Sequence, residues 1–250
     1  MTLQAGREVF LGVDVGTQGA RVVALDGDGR LLAERHRVFD SQGEGTAREQ
    51  SASIWWETVR PLLGGVAGDI AGQPGLRPVA VGVTSTSGTV VPLDDRHEPV
   101  HPALMYGDDR SGEEAALCNR AAAAAGVEAT FGTSFGLPKI VWFRRHRPAE
   151  SERTASWCHA ADFLVGRLSG VWGVTDPTSA LKTGYDPVAG RWPDFLFDEL
   201  SLPRDWLPTV APSGTPLGPI SPAVARDTGL PPGVVVTNGM TDGCASQIAA

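Results

Sequence analysis

The sequence predicts an α/β fold, and three stretches carry that prediction. Apolar, β-branched residues at Val9–Val15 indicate a buried strand, and Ala20–Leu25 reads as its partner in a hairpin. Residues 52–66 then place apolar side chains at helical spacing. Near the other end, the chain returns to an apolar strand at Val234–Thr237. Strands interspersed with helices in this way are typical of the α/β class.

Composition describes an ordinary globular chain and argues against several functional classes. Of its 250 residues, 42% are hydrophobic and 20% are charged, and the formal net charge is −8. That charge argues against a surface for nucleic acid or an anionic membrane. No apolar run reaches bilayer length, and the first residues lack the apolar segment of a signal peptide. Cys118, Cys158 and Cys244 are widely spaced, which predicts a reduced cytoplasmic protein without disulfides or a zinc site.

The turn of the first hairpin, Gly16-Thr17-Gln18-Gly19, follows a carboxylate that lies within an apolar strand. Burying Asp14 there is costly unless a cation or several hydrogen-bond donors meet it. The N–H groups of the turn, the Thr17 hydroxyl and the Arg21 guanidinium suit the oxygens of a phosphate. Asp14 could hold a magnesium ion over those phosphates, because Mg²⁺ favours carboxylate and water ligands. The alternative is an aspartate that only stabilises the turn.

The next hundred residues continue the alternation of strands and helices. The predicted elements are a strand at Arg30–Phe39, a polar loop at Ser41–Arg48, a helix at Ala52–Val66 capped by Ser51 or Ser53, and strands at Val79–Val83 and Val90–Leu93. The loop between the last two strands holds six small hydroxylic or glycine residues. It is either a simple turn or, through Thr86, Ser87 and Gly88, a rim of hydrogen-bond donors for a polyol.

The second half of the chain is predicted to be mostly helix and loop. The predicted elements are helices at Ser111–Ala125, Lys139–Arg147 and Ser156–Leu168, a loop at Thr175–Pro193, a proline-rich connection at Pro203–Pro232 with one helix at Pro222–Thr228, and a final helix at Cys244–Ala250. The final helix is apolar and barely two turns long, which indicates that the chain is cut there.

Asp242 is the strongest candidate for a general base. An apolar strand runs into a glycine-bearing turn at 238–243, which presents Asp242 near the start of the last helix. A carboxylate there could accept the proton of a sugar hydroxyl that attacks phosphorus, since phosphoryl transfer depends more on positioning than on strong basicity. The alternative is that Asp242 only caps the helix.

Several other polar and aromatic residues have both a functional and a structural interpretation. Asp108 and Arg110 supply acceptors and donors for sugar hydroxyls, or else belong to a solvated loop or helix cap. Of the pair Trp55-Trp56, one tryptophan is expected to pack in the core and the other to line a cleft.

For three polar residues between positions 156 and 186, the sequence does not indicate a role in ligand binding. His159 is expected to be a satisfied core or boundary histidine, and Asp162 a capping or surface group. Lys182 is isolated in a loop, and the pattern around it favours neither a structural nor a ligand role.

Four stretches, taken in order, resemble the N-terminal domain of the FGGY family of carbohydrate kinases. They are DVGTQGAR at Asp14–Arg21, EQSASIWW at Glu49–Trp56, YGDDR at Tyr106–Arg110 and NGMTDGCAS at Asn238–Ser246. The resemblance covers essentially all of residues 1–250. It implies an actin-like (ribonuclease H-like) domain with a mixed β-sheet, the first of two domains that hold ATP and sugar between them.

The resemblance also implies a role for each motif. Asp14 would help to hold Mg–ATP, and Gly16, Thr17, Gln18 and Arg21 would form the phosphate loop. Asp242 would be the catalytic base, activating a terminal hydroxyl for in-line attack on the γ-phosphoryl group. Asp108, with Arg110 and Trp56, would contact the sugar. Residues 159–164 and 175–187 are most similar to the D-ribulose kinase and plant-type xylulose kinase-like branch, so the expected substrate is a ketopentose, D-ribulose ahead of D-xylulose.

Two departures limit what carries over from the family. Bacterial xylulokinases carry Met-His-Gly where this chain has Ser87-Gly88-Thr89, so plain D-xylulose specificity is not implied. The family's C-terminal domain, which supplies the adenine pocket and a second phosphate loop, lies outside residues 1–250, so this chain alone is expected to turn over little. The alternatives are a kinase for another polyol such as glycerol or xylulose, a non-catalytic sugar-binding or regulatory module, and an acetate-kinase or chaperone-type ATPase. A homodimer is one assembly consistent with the family.

Overall fold

A computed structural model describes residues 6–39 and 45–250 and has the α/β fold that the sequence predicts. Within those ranges the strands are β1 (Arg7–Val15), β2 (Gly19–Asp26), β3 (Leu31–Val38), β4 (Glu49–Gln50), β5 (Leu76–Ser85), β6 (Val90–Leu93), β7 (Ala103–Leu104), β8 (Ser156–His159), β9 (Val174–Thr175), β10 (Thr209–Val210), β11 (Pro216–Pro219), β12 (Val235–Thr237) and β13 (Met240–Thr241). The helices there are α1 (Ala52–Ala71), α2 (Gly112–Ala124), α3 (Gly136–His146), α4 (Pro148–Glu152), α5 (Ala160–Ser169), α6 (Pro177–Leu181), α7 (Phe195–Asp198), α8 (Pro222–Thr228) and α9 (Asp242–Ala249), with a 3₁₀ turn at Arg204–Trp206.

The main sheet is mixed, in agreement with the expected fold. Its strand order is β11-β12-β5-β1-β2-β3, and β13 also pairs with β5. The hairpin strands β1, β2 and β3 are antiparallel, whereas β1, β12 and β13 all run parallel to β5. Because parallel strands end on the same side of a sheet, the carboxyl ends of these four strands meet at one edge.

A first hydrophobic core lies between one face of this sheet and helices α1 and α5. Alternate residues of β1, namely Val9, Leu11, Val13 and Val15, are buried in it. The intervening residues of β1, among them Asp14, point to the opposite face because side chains alternate along a strand.

A second hydrophobic core is built from residues that lie between β5 and β11 in the chain. With β4, which precedes α1 in the chain, the strands β7, β6 and β8 form a separate sheet in the order β4-β7-β6-β8. Helix α3 packs against β6, α2 packs against α3, and α7 packs against α2. Aromatic rings dominate this core, with Phe143 and Trp157 in an edge-to-face contact at 5.1 Å between ring centroids. The pair β6 and β8 touches both cores, since Val90 and Trp157 face the second core and Val91 and Cys158 face the first.

The predicted helix at Ser156–Leu168 is wrong over its first four residues. Residues 156–159 form β8, which pairs antiparallel with β6, and α5 starts at Ala160. A strand buried on both faces is a continuous apolar run, and its periodicity cannot be told from that of a buried helix. The helix ends at Ser169, and Gly170 caps it in the left-handed conformation with φ +80°.

Most other predicted elements are confirmed, with shifted ends. Six of them lie where the sequence predicts: β3, α1, α2, α3, α8 and α9. Ser51 occupies the cap position of α1 but makes no side-chain hydrogen bond there. The predicted loop at 175–193 contains β9 and α6, and the connection at 203–232 also contains β10 and β11. Residues 41–44 of the predicted loop at 41–48 lie outside the described residues. Across the described ranges, none of the helices has the length and apolar character needed to span a membrane.

Candidate functional site

Two carboxylates from opposite ends of the sequence come together at the carboxyl edge of the main sheet. In the strand register, Asp14 on β1 and Met240 on β13 both lie beside Thr84 of β5, one on each side. Asp242 follows β13 directly and is the first residue of α9. The end of β5 is therefore flanked by Asp14 on one side and Asp242 on the other.

The charge of Asp242 affects the protonation of Asp14. Asp14 is exposed at the surface, not buried as its apolar strand suggests, but the surrounding protein partly desolvates it and so raises its pKa above the usual value of 3.8. The negative charge of Asp242 raises that pKa further, while Arg21 acts in the opposite direction. A divalent cation between the carboxylates would relieve this repulsion. Mg²⁺ is commonly bound through one or two carboxylates together with water and phosphate oxygens, so this donor set fits magnesium. Among the described residues, no group of three or more His, Cys, Asp or Glu side chains is placed to hold a metal ion.

The turn between β1 and β2 opens into a groove of about 390 Å³. Its lining includes Asp14, residues 16–21 and residues 36–38 of the neighbouring β3. The N–H of Gly16 donates to the Gly19 carbonyl at 3.0 Å, which closes the turn. A Cβ on Gly19 would lie 2.7 Å from the Arg37 carbonyl oxygen, so the turn can lie this close to β3 only with glycine there.

Arg21 is the cation beside this groove. It is opposite Asp14 in the β1–β2 register and opposite His36 in the β2–β3 register. Its Nε is 3.2 Å from a carboxylate oxygen of Glu34, and its side chain is exposed. An exposed guanidinium next to free backbone N–H groups can bind phosphate oxygens.

The turn at residues 16–19 is held in place by a hydrogen bond from Gln50, which precedes α1 and is itself bonded by Trp55 in the first turn of that helix. Trp55 is buried and donates its indole N–H to Gln50 at 2.6 Å, and the Gln50 amide donates to the Thr17 carbonyl at 3.2 Å. Trp55 is thus the packed tryptophan that the sequence predicts. Trp56 is half-buried against the first core, and its place in a cleft stays a prediction.

Asp242 is not the cap of α9. The cap position belongs to Thr241, and the Asp242 carboxylate accepts the N–H of Gly243 at 2.8 Å. Its side chain is exposed to solvent, as a proton acceptor for a ligand must be. The backbone before it lies close to β5, because a Cβ on Gly239 would be 2.7 Å from the Val83 carbonyl oxygen. The glycine therefore lets this turn approach the sheet edge.

Asp108 and Arg110 are held by other protein groups. Asp108 is 2% exposed, and its oxygens accept the Arg48 N–H at 2.8 Å and the Arg110 guanidinium at 2.7 Å. Arg110 also reaches Glu49 at 2.6 Å and lies over the ring of Trp142. The interpretation of a solvated loop is wrong, since these groups form a buried ion-pair network. Neither residue caps α2, which follows Ser111.

The small residues 86–89 form a tight turn next to a lysine that the sequence could not assign. Gly88 has φ +76°, and a Cβ there would lie 2.1 Å from the Ser134 carbonyl oxygen and 3.2 Å from the Lys182 Cδ. The hydroxyls of Thr86 and Thr89 are 2.9 Å apart. Ser87 lies in the same turn. Lys182 directly follows α6, so the structure brings it to the predicted rim of hydrogen-bond donors.

Two further buried groups lie behind the site. The ring of His159 is bonded on both sides, to Asp162 at 2.8 Å and to the Thr183 hydroxyl at 2.9 Å, which confirms the predicted core histidine and capping aspartate. Lys139, which the sequence pattern did not single out, points its buried Nζ at the carbonyls of Tyr106, Thr133 and Phe135. Burial lowers the pKa of Lys139 from 10.5 to about 8.

Comparison with known proteins agrees with this arrangement. Residues 9–249 match the model of the N-terminal domain of the FGGY family of carbohydrate kinases. The chain is 26% identical to the xylulose kinase of Escherichia coli over 92% of this chain and 48% of that protein. It is 28% identical to the glycerol kinase of Methylorubrum extorquens over 82% of this chain and 44% of that protein.

Solved structures give the same result for the fold. The crystal structure of xylulose kinase from Rhodospirillum rubrum matches with a TM-score of 0.86 and 27% identity, over 96% of this chain and 50% of that one. The chain spans about half the length of the curated relatives it matches.

Proposed function

The chain belongs to the FGGY family of carbohydrate kinases, and we propose that it forms the sugar- and phosphate-binding part of an ATP-dependent kinase that phosphorylates a ketopentose. One observation carries this proposal: Asp14 and Asp242 flank the end of β5, next to the groove lined by the turn at residues 16–19 and Arg21. That arrangement offers a base for a hydroxyl and a cradle for phosphate within one edge of a sheet.

In the proposed reaction, Asp242 accepts the proton of the terminal sugar hydroxyl while the hydroxyl oxygen attacks the γ-phosphorus of ATP. The bond between the γ-phosphorus and the β,γ-bridging oxygen breaks, and ADP leaves with that oxygen. The N–H groups of Thr17 and Gln18, in the turn that Gly16 and Gly19 close, and the Arg21 guanidinium bind the phosphate oxygens and stabilise the charge that develops there. Asp14 and Asp242 are the residues that would hold Mg²⁺. When bound, the ion neutralises charge on the transferred phosphoryl group and orients it.

The proposed sugar site lies around Thr86, Ser87 and Gly88, with Lys182 beside it. Hydroxyl and ammonium groups are suited to the oxygens of a polyol. Asp108 and Arg110 would act there mainly by holding the wall of the site, because most of their hydrogen-bonding capacity is used within the protein. Trp56 is the aromatic candidate for a sugar face.

The relatives described above are named for xylulose and for glycerol, and they give no support to the expected preference for D-ribulose, which stays a prediction. Cofactor binding, the need for the remaining half of the family's length and a homodimeric assembly are likewise part of the proposal. Because the family's cleft lies between two domains, we expect residues 1–250 to turn over little alone.

The test is an ADP-release assay on the full-length protein with ATP, Mg²⁺ and a panel of D-ribulose, D-xylulose, L-ribulose and glycerol. We expect a ketopentose to give the highest kcat/KM. Asp242→Asn should lower kcat by about 100-fold or more, as loss of a general base does, with sugar binding retained. Asp198→Asn, at the exposed end of α7, is the matched control and should be silent.

Two results would contradict the proposal. If Asp242→Asn kept near-normal turnover, Asp242 would not be the base. If the wild-type protein bound a sugar but transferred no phosphate to any of the panel, the non-catalytic sugar-binding alternative would replace the kinase.

A further inference from the structure

A buried hydrogen-bond chain reaches the start of α9 from the side of α6. The hydroxyl of Thr178 donates to Oδ1 of Asp176 and accepts the backbone N–H of Thr241 at 2.9 Å. Asp176 is fully buried, and the same oxygen also accepts the N–H groups of Thr178 and Ser179 at 2.8 and 3.1 Å. Residues 63 positions apart are thereby joined immediately before Asp242.

The chemistry of these groups fixes the direction of each bond. Oδ1 of Asp176 already accepts two backbone N–H groups, so it is an acceptor and the one proton of the Thr178 hydroxyl points at it. A lone pair of the hydroxyl then faces the Thr241 N–H. The other oxygen of Asp176, Oδ2, is buried without a hydrogen-bond partner in the described structure. Keeping a half-satisfied carboxylate in the interior is unfavourable, which indicates that the oriented hydroxyl has a use.

The same segment is held at its other end. The side-chain amide of Asn238 donates to the carbonyls of Thr175 at 3.0 Å and Ala211 at 2.7 Å. Between these two attachments, Gly239 lies against β5, and Thr241 pairs with Ser85. The backbone from 238 to 241 is therefore fixed between β5 and the segment 175–178.

We propose that Thr178 is a positioning residue, whose hydroxyl, oriented by Asp176, fixes the backbone at Thr241 and so the direction in which Asp242 is presented to its substrate. This inference rests on the proposed function of Asp242 as the base. Thr178 touches neither sugar nor phosphate in this role. It acts because Asp242 is the next residue, so a tilt of the Thr241 peptide moves the carboxylate directly.

The kinetic test compares Thr178→Val with Thr178→Ser in the full-length protein. Valine keeps the shape but removes the hydroxyl, whereas serine keeps it. We expect Thr178→Val to lower kcat about 10- to 100-fold, as a misplacement of about 1 Å does, with the KM values for sugar and ATP unchanged within about twofold. Thr178→Ser should retain most of the wild-type kcat. Equal kcat values for the two variants, or a loss confined to KM or to thermal stability, would overturn the inference.

A second measurement does not depend on catalysis. Amide hydrogen exchange at Thr241 should be at least about 10-fold faster in Thr178→Val than in the wild type or Thr178→Ser, because its acceptor is gone. Thr209→Val, at an exposed threonine of β10, is the control and should leave Thr241 unchanged. Unchanged exchange in Thr178→Val would overturn the inference.

The two measurements separate the possible failures. A wild-type protein that phosphorylates no sugar contradicts the proposed function, and the exchange rates then still decide whether Thr178 fixes Thr241. An active kinase whose Thr178→Val variant keeps its kcat contradicts the positioning role alone.

Discussion

Asp14 is an acid placed where its ionised form is disfavoured. Partial desolvation and the charge of Asp242 raise its pKa, so the folded protein binds a proton there more tightly than the unfolded chain does. The stability linked to Asp14 is therefore fully present below its unfolded pKa and falls as pH rises through its folded pKa. The acid is retained at a cost in stability at neutral pH, which is common at functional sites.

The first prediction concerns the pH dependence of stability. Asp14→Asn should raise the thermal midpoint at pH 7 and should leave it nearly unchanged below pH 3.8, the usual pKa of an aspartate. Thermal melts across this pH range measure the effect. A variant that is less stable than the wild type at pH 7 would contradict the account of Asp14.

The second prediction concerns magnesium. Under the proposed function Mg²⁺ binds at Asp14 and Asp242, so adding it should raise the wild-type melting temperature, and a chelator should reverse the rise. In Asp14→Asn and in Asp242→Asn, the same addition should have less effect. An identical rise in all three proteins would place the ion somewhere else.

The third prediction uses two glycines on either side of Asp242. Gly239→Ala should destabilise the protein by about 1–3 kcal/mol, because its Cβ would collide with the Val83 carbonyl and push the turn from β5. Gly243→Ala meets nothing within 4 Å and lies in α9, so it should be neutral or stabilising by up to about 1 kcal/mol. Denaturant unfolding of both variants measures the contrast, and equal effects would contradict the close approach at Gly239.

At the scale of elements, α5 depends on a reciprocal cap. Asp162 accepts the N–H of His159 at 2.9 Å and also bonds to its ring, and both residues are buried. We predict that Asp162→Ala lowers the free energy of unfolding by about 1–2 kcal/mol, since both the cap and a buried donor lose their partner. Chemical denaturation measures the loss, and Asp198→Ala, at an exposed position of α7, is the control. A loss no larger than that of the control would exclude this capping role.

The elements that the sequence predicts well are those with one buried face. Along β1 and β2, side chains alternate between the core and the solvent-facing side of the sheet, and α1 buries the residues along one of its sides. The spacing of apolar residues in the sequence therefore identifies these elements. The strand β8 was missed because both of its faces are buried, and α6 was missed because its Asp-Pro-Thr-Ser start resembles a loop. That start is in fact a capping aspartate followed by proline at the first helical position.

The site itself was only partly predictable from local pattern. The hairpin turn and Arg21 follow from adjacent residues, but the closeness of Asp14 and Asp242 depends on β13 pairing with β5, across most of the chain. Long-range parallel pairing leaves no local signature, and here the family resemblance supplied it. The contact of Thr178 with Thr241 and the burial of Lys139 likewise depend on residues distant in the sequence, so local pattern does not indicate them.

At the scale of the whole molecule, two cores protect two of the three cysteines. Cys118 and Cys158 are buried, and burial raises the pKa of the Cys118 thiol to about 12, whereas Cys244 is partly exposed. We predict that a thiol reagent labels Cys244 in the native protein and labels the other two only after denaturation. Peptide mapping by mass spectrometry measures this, and native labelling of Cys118 would contradict the packing of the second core.

The wall shared by the two cores, formed by β6 and β8, also bears on how enzymes of this kind diversify. Residues that form the second core and the predicted sugar rim lie between β5 and β11 in sequence, whereas the carboxylates belong to the strands on either side of that insertion. Under the proposed function, we expect substitutions in this segment to alter which polyol is accepted without changing the register of the strands that carry Asp14 and precede Asp242. Such a division of labour is consistent with a family whose members are named for substrates as different as xylulose and glycerol.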